Sequence, residues 1–193
     1  MMWLFEETRT CHRRADEALE KRTSNVTTGT YRALLASTLG FEAPLESALA
    51  YTPSINGLFE LHHRSGYLVH DLLSLGMRPQ EISNLPQATI TPFIDTPSAA
   101  GWLYVYERSR LHHPALCMRI KSEVPELRNA MQYLCHDDIE VTKRWNSFVS
   151  RLEALADERN ARAAIRDAAL QAFEMQVAWL VTTGAAQRGV LPL

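Results

Sequence analysis

The sequence predicts an all-α fold, a single-domain helical bundle. Apolar residues recur at helical spacing along the chain, and no segment alternates apolar and polar residues over a strand's length between turn signals. The 193 residues suffice for one full-sized core, and no shift of composition marks a second. Residues 1–193 are read as one domain, with 1–6 and 186–193 as its flexible ends.

The first helix is carried by Leu4, Thr8, His12, Ala15 and Leu19, which at about 100° per residue fall within roughly a quarter turn of one another. Arg9, Arg13 and Asp16 lie off that stripe. A histidine among such neighbours is either a hydrogen-bonded core residue or a ligand aimed into a cavity. The polar, β-branched TSNVTTG breaks the helix, and TYRALLASTLGFEAPLESALA resumes it as far as Thr52 and Pro53, with a bend or break expected at Gly40 and Pro44. SINGLFELHHRSGYLVHDLLSLG forms a shorter unit ending at Gly76, and RPQEISNLPQATITPFIDTP, with four prolines, reads as a long connection.

Asp95, Thr96 or Ser98 then caps AAGWLYVYERSRLHHPALCMRIK, which should kink at Pro114. On that helix Trp102, Tyr106, Ser109, His113, Leu116 and Ile120 share a face, with Arg108 and His112 one turn apart at its edge. PELRNAMQYLCHDDIEVTKRWNSFVSRLEALA follows with Pro125 in its first turn, and a last helix runs from about Glu158 to Thr183, stopped by Gly184. Six or seven one-faced helices make a bundle, where ligands are held by inward polar side chains.

The net charge of −2 and a pI near 6.4, with arginines interleaved among acids, argue against a nucleic-acid partner. Three cysteines (Cys11, Cys117, Cys135), odd in number and without metal-ligand spacing, favour neither a disulfide framework nor a zinc site and fit a reducing compartment. The acid-bearing N-terminus lacks a signal peptide's apolar run, and VAWLV is too short to cross a membrane, so a cytoplasmic protein is expected.

Glu60 and His63 have the E-x-x-H spacing of a di-iron ligand pair, but no histidine follows His136 to complete such a site, and a solvated helix end is the simpler reading. Cys11–His12 and Cys135–His136 are adjacent pairs whose side chains diverge by about 100° on a helix, which rules out a nucleophile and its base. For His136, Asp137 and Asp138 the plain reading is a polar interruption. A single porphyrin iron needs one protein ligand, two enclosing helices and cations for its propionates. His12, the segment from Ser109 to Pro114 and Arg9 supply such parts.

TRTCHRRADEAL resembles the T-R-x-x-H-x-x-L/A signature of bacterial heme oxygenases, particularly those associated with bacteriophytochromes. YRALLASTLGFEAPLESAL is similar to their second-helix region and HDLLSLG to their D-L-x-x-L-G segment. AAGWLYVYERSRLHH resembles their distal L-Y-V-x-E-G-S-x-x-G-G, and MQYLCHDDIEVTKRW their F-x-x-G-Y-G-x-x-x-x-x-x-W stretch. The resemblance implies heme as both cofactor and substrate, opened oxidatively to biliverdin, iron and carbon monoxide. His12 would be the axial iron ligand and Arg9 a propionate partner. Arg166, with Arg162, would assist, and Phe173 would pack on the porphyrin edge. Electrons would come from an external donor, a ferredoxin or reductase, and a bacteriophytochrome would accept the product.

Ser109 matches the family serine, but the family's distal glycines are replaced by Arg108, His112 and His113, and its Y-G by Asp137 and Asp138. Glycine there lets backbone approach the heme, so the bulky residues leave three outcomes. A kink at Pro114 keeps a tight catalytic pocket, with Ser109 and with Arg108 or His112 as donors to bound oxygen. Alternatively, His112 or His113 reaches the iron and makes a non-catalytic heme carrier or sensor. In the third outcome the side chains fill the pocket, leaving a heme-free ligand-binding or interaction protein.

Overall fold

A computed structural model describes residues 2–52, 55–59, 61–136, 141–158 and 160–187 and contains no strand among them. The long helices are α1 (Met2–Thr23), α2 (Thr28–Ala50), α6 (Thr96–Ser109), α7 (His113–Glu123), α9 (Val141–Glu158) and α10 (Arg162–Gln187). Shorter ones are α3 (Ile55–Leu58), α4 (Ser65–Ser74), α5 (Pro79–Ser83) and α8 (Gln132–Cys135). Thr27 and Thr30 form a reciprocal cap on α2, and Asp95 caps α6 through the Ser98 amide at 2.8 Å.

Leu4, Thr8, His12 and Ala15 are all buried, as the stripe on α1 predicts. α10 packs along α6 and α1, and α2 packs on α4 and α10. Gly101 sets the approach of α6 to α10: a Cβ there would lie 2.4 Å from the Ile165 carbonyl oxygen. Two apolar clusters result. One gathers Phe41, Trp102, Tyr104, Phe148 and Phe173; the other gathers Leu35, Leu72, Ile120, Leu127 and Leu134.

No break occurs at Pro44, since α2 runs continuously from Thr28 to Ala50. Proline has no N–H to offer the carbonyl one turn back, at Gly40, and that carbonyl instead accepts the Ala88 amide at 2.8 Å. A Cβ on Gly40 would stand 2.2 Å from the Pro86 carbonyl oxygen, so the glycine admits the connecting segment that supplies the bond.

The break expected near Pro114 is present and begins earlier, with a 3₁₀ turn over Arg110–His112 before Pro114 enters the first turn of α7. After Pro125 a 3₁₀ turn (Pro125–Ala130) precedes α8, where one helix was expected. The last helix begins at Arg162, not near Glu158, because Asn160 turns the chain with φ 47°. Gly184 does not stop α10. A Cβ there would meet the Arg22 guanidinium at 2.3 Å, so the glycine makes room for a side chain that reaches the Leu180 carbonyl.

The cysteine reading also needs correction. Cys117 and Cys135 form a disulfide with Cα atoms 5.7 Å apart, tying α7 to α8, and Cys11 is the free thiol. Sequence spacing carried no information on that proximity. No helix is long and apolar enough to cross a membrane among the described residues. Glu60, Asp137, Asp138 and residues 188–193 lie outside the described residues.

Candidate functional site

His12 is 3% exposed. The Thr8 hydroxyl donates to the Leu4 carbonyl at 2.6 Å and sits 3.0 Å from His12 Nε2; the Tyr104 hydroxyl, from α6, lies 2.9 Å from the same nitrogen. The rings of Phe5, Phe173 and Tyr104 surround the imidazole at 4.9, 5.0 and 5.8 Å. Burial, with the Arg108 charge nearby, pushes the His12 pKa down to about 4, so the ring is neutral near pH 7. Its Nδ1 is buried without a hydrogen-bond partner.

One turn further along α1, Asp16 receives two bonds from Arg108, at 3.0 and 2.9 Å, and lies 3.1 Å from His112 Nε2. The Arg108 guanidinium also lies 5.9 Å from the Phe173 ring centre. α1 and α6 are thus joined at two levels, by His12 with Tyr104 and by Asp16 with Arg108.

Beside this double contact, where the two apolar clusters meet, a cavity leaves about 80 Å³ for the centres of water-sized groups. Leu35, Phe41, Leu116, Leu134 and Trp179 give it apolar walls; Asp16, Arg108, Ser109, His112 and His113 line it as well, and His12 does not. Glu42 enters the lining from α2 as part of a buried network. Its Oε1 accepts from Arg64 at 2.9 Å and from the Tyr133 hydroxyl at 2.7 Å, while its Oε2 is buried and unpartnered. Burial outweighs the opposing pull of Arg64 and raises the Glu42 pKa to about 7. Glu46 ties the same network to Tyr106 at 2.6 Å and to the backbone of Arg64 at 2.6 Å.

The site residues read from sequence therefore divide. Arg108, Ser109, His112 and His113 meet at the cavity. Ser109 donates to the Tyr106 carbonyl at 2.8 Å and accepts from Arg64. The His113 ring lies tilted 4.7 Å from that of Tyr133, and burial followed by the Arg64 charge holds its pKa well below the ordinary histidine range. Phe173 reaches His12. The arginines for propionates lie elsewhere: Arg9 is exposed beside Glu6, Arg166 bonds Asp167 and Glu7, and Arg162 bonds Asp157. Tyr104, Asp16, Glu42 and Arg64 were missed, although Glu42 and Arg64 are charged residues that the fold buries. His63 stands 3.4 Å from Glu46, and exposed His136 meets the Tyr67 hydroxyl.

A sequence model of the heme oxygenase family, described as "Heme oxygenase", matches residues 3–182. The chain belongs to the heme oxygenase family. No curated protein and no solved structure matches it significantly.

Heme oxygenase-family proteins act on heme, and its fit can be tested against the residues present. A macrocycle held between α1 and α6 needs van der Waals contact of about 3.5 Å on each face, hence walls about 7 Å apart. Here Tyr104 meets His12 and Arg108 meets Asp16 at 2.9 Å. His12 Nε2 already faces two hydroxyls, and its Nδ1 is sealed from the cavity. As arranged, these residues do not fit heme bound to His12.

Proposed function

We propose that this heme oxygenase-family chain is a binding protein for a small apolar ligand other than heme, taken up in the cavity between α2, the α6–α7 break and α10. The observation that carries the reading is the pair of bonds from α6 to α1, Tyr104 to His12 and Arg108 to Asp16, which cross the space a clamped macrocycle requires. Arg108 and His112, two of the residues standing at family glycines, take part in that closure. On this reading His12 is a core histidine retained for its bonds to Thr8 and Tyr104, and neither an electron donor nor a product acceptor is needed.

A second reading has one specific observation in its favour. His12 is neutral and keeps a bare Nδ1, the state an iron ligand requires, on the helix where the family resemblance puts that ligand. Bound heme would supply the oxidative chemistry that opens its own ring; His12 would hold it, while Ser109, Arg108 and His112 lined its far side.

Titration of the purified protein with ferric heme, followed through the Soret band, decides between them. The proposal expects no stoichiometric complex. A one-to-one complex lost in His12→Ala would overturn it, and bleaching to biliverdin with a reductant in air would establish turnover.

A further inference from the structure

The Cys117–Cys135 bond braces two walls of the cavity. Cys117 follows Leu116 on α7, Cys135 follows Tyr133 and Leu134 on α8, and all three neighbours line the cavity. α8 is a single turn, four residues long, and a helix that short does not hold its place by its own backbone bonds. Its two ends are fixed differently. At the start the carboxylate of Asp71, fully buried on α4, accepts the Gln132 and Tyr133 amides at 3.0 and 2.9 Å. At the finish Cys135 carries the covalent tie to α7, beside an exposed contact between His136 and the Tyr67 hydroxyl. The two cysteines also differ in access: Cys117 is 1% exposed, whereas Cys135 is half-buried.

We infer that this disulfide is a redox latch on the cavity: oxidised, it pins the α8 wall to the α7 wall, and once reduced by a dithiol donor it lets the Cys135 end of α8 swing away about Asp71. A thiolate of the donor attacks Sγ of Cys135, the more accessible cysteine, and forms a mixed disulfide as the Cys117 sulfur leaves with the bonding pair and takes up a proton. The donor's second thiolate then attacks the donor sulfur of that mixed disulfide and releases Cys135, which is protonated in turn. The donor ends as a disulfide and the chain as two thiols, two electrons and two protons having passed to it. Leu134, next to the cut bond, is the part of the wall that moves, while Tyr133, held through its amide by Asp71, lies nearer the pivot. The latch governs entry to the cavity and holds whichever guest the cavity takes.

Alkylation by iodoacetamide, read by peptide mass spectrometry, tests this on the full chain. Ser37→Cys places a thiol in the cavity lining with little change of size, and Ala156→Cys places one at a comparably buried position on α9 outside that lining. Each is compared with the bond intact and with Cys117→Ala and Cys135→Ala added; should the alanine pair not fold, reduction by dithiothreitol without denaturant takes its place. Losing the bond should speed alkylation at Ser37→Cys at least tenfold more than at Ala156→Cys. Equal acceleration at the two positions would mean that the whole fold is weakened and would overturn the latch, as would an unchanged rate at Ser37→Cys. A bond that dithiothreitol reduces only in denaturant would overturn it too. None of these outcomes depends on the heme titration, so the latch and the ligand reading fail separately.

Discussion

Arg108 of α6 and Asp16 of α1 form a two-point ion pair at 3.0 and 2.9 Å that ties the two helices together. The guanidinium is 13% exposed and the carboxylate 40%, so solvent screens the pair and Arg108→Ala should cost only about 1 kcal/mol in urea unfolding. Its larger effect is geometric. The double variant Tyr104→Phe with Arg108→Gly removes both cross-links and the bulk at one family glycine. It should acquire a Soret band on heme addition, and a further His12→Ala change should abolish it. A double variant that stays blind to heme would show that the closure lies elsewhere.

Two buried groups give stability opposite dependences on pH. His12 has a folded pKa of about 4 against 6.5, so the unfolded chain binds its proton first and stability falls as pH drops from 6.5 to 4. His113 acts in the same direction. Glu42, raised to about 7 from 4.5, contributes stability that is complete below 4.5 and is lost as pH rises through 7. The slopes oppose between pH 4.5 and 6.5. Glu42→Gln should therefore steepen acid destabilisation in that window, and His12→Asn should flatten it, both read from unfolding midpoints against pH. Parallel profiles in the two variants would contradict the assignment.

The Cys117–Cys135 bond closes a loop of sequence separation 18, for which chain entropy gives about 3 kcal/mol. Reduction should lower the unfolding free energy by about that amount. Thiol titration of the denatured chain should find one free thiol, from Cys11, before reduction and three after, counting Cys117 and Cys135.

Gly101→Ala would press a methyl group 2.4 Å from the Ile165 carbonyl oxygen and 2.7 Å from the Ala168 Cβ. Both lie on a long helix and yield little, so about 1–3 kcal/mol should be lost on chemical denaturation. Gly66→Ala, with nothing within 4 Å of the added carbon, is the control and should be neutral or slightly stabilising.

What sequence reading recovered depended on whether the determining contacts were local. The stripe on α1, the Asp95 cap and the break near Pro114 follow from spacing and backbone chemistry, and all are present. The break at Pro44 and the stop at Gly184 do not occur, and each position is met from a distant segment, by the Ala88 amide and the Arg22 side chain. At the site, the crowding by Arg108, His112 and His113 was legible as lost glycines. Asp16, which meets Arg108 and His112, was not, since it lies off the apolar stripe and is recruited from another helix. Glu42 was passed over within a helix of good periodicity, and its pairing with Arg64 spans 22 residues.

The exchange at Pro44 gives the connecting segment an uncontested anchor. In an ordinary helix every carbonyl has an internal suitor, and an outside amide must compete with it. At Gly40 no internal competitor exists, so the Ala88 amide holds its acceptor without rivalry, and the helix loses nothing further by keeping it. A residue with an N–H at position 44 would turn that fixed attachment into a contest the segment has to win each time it docks.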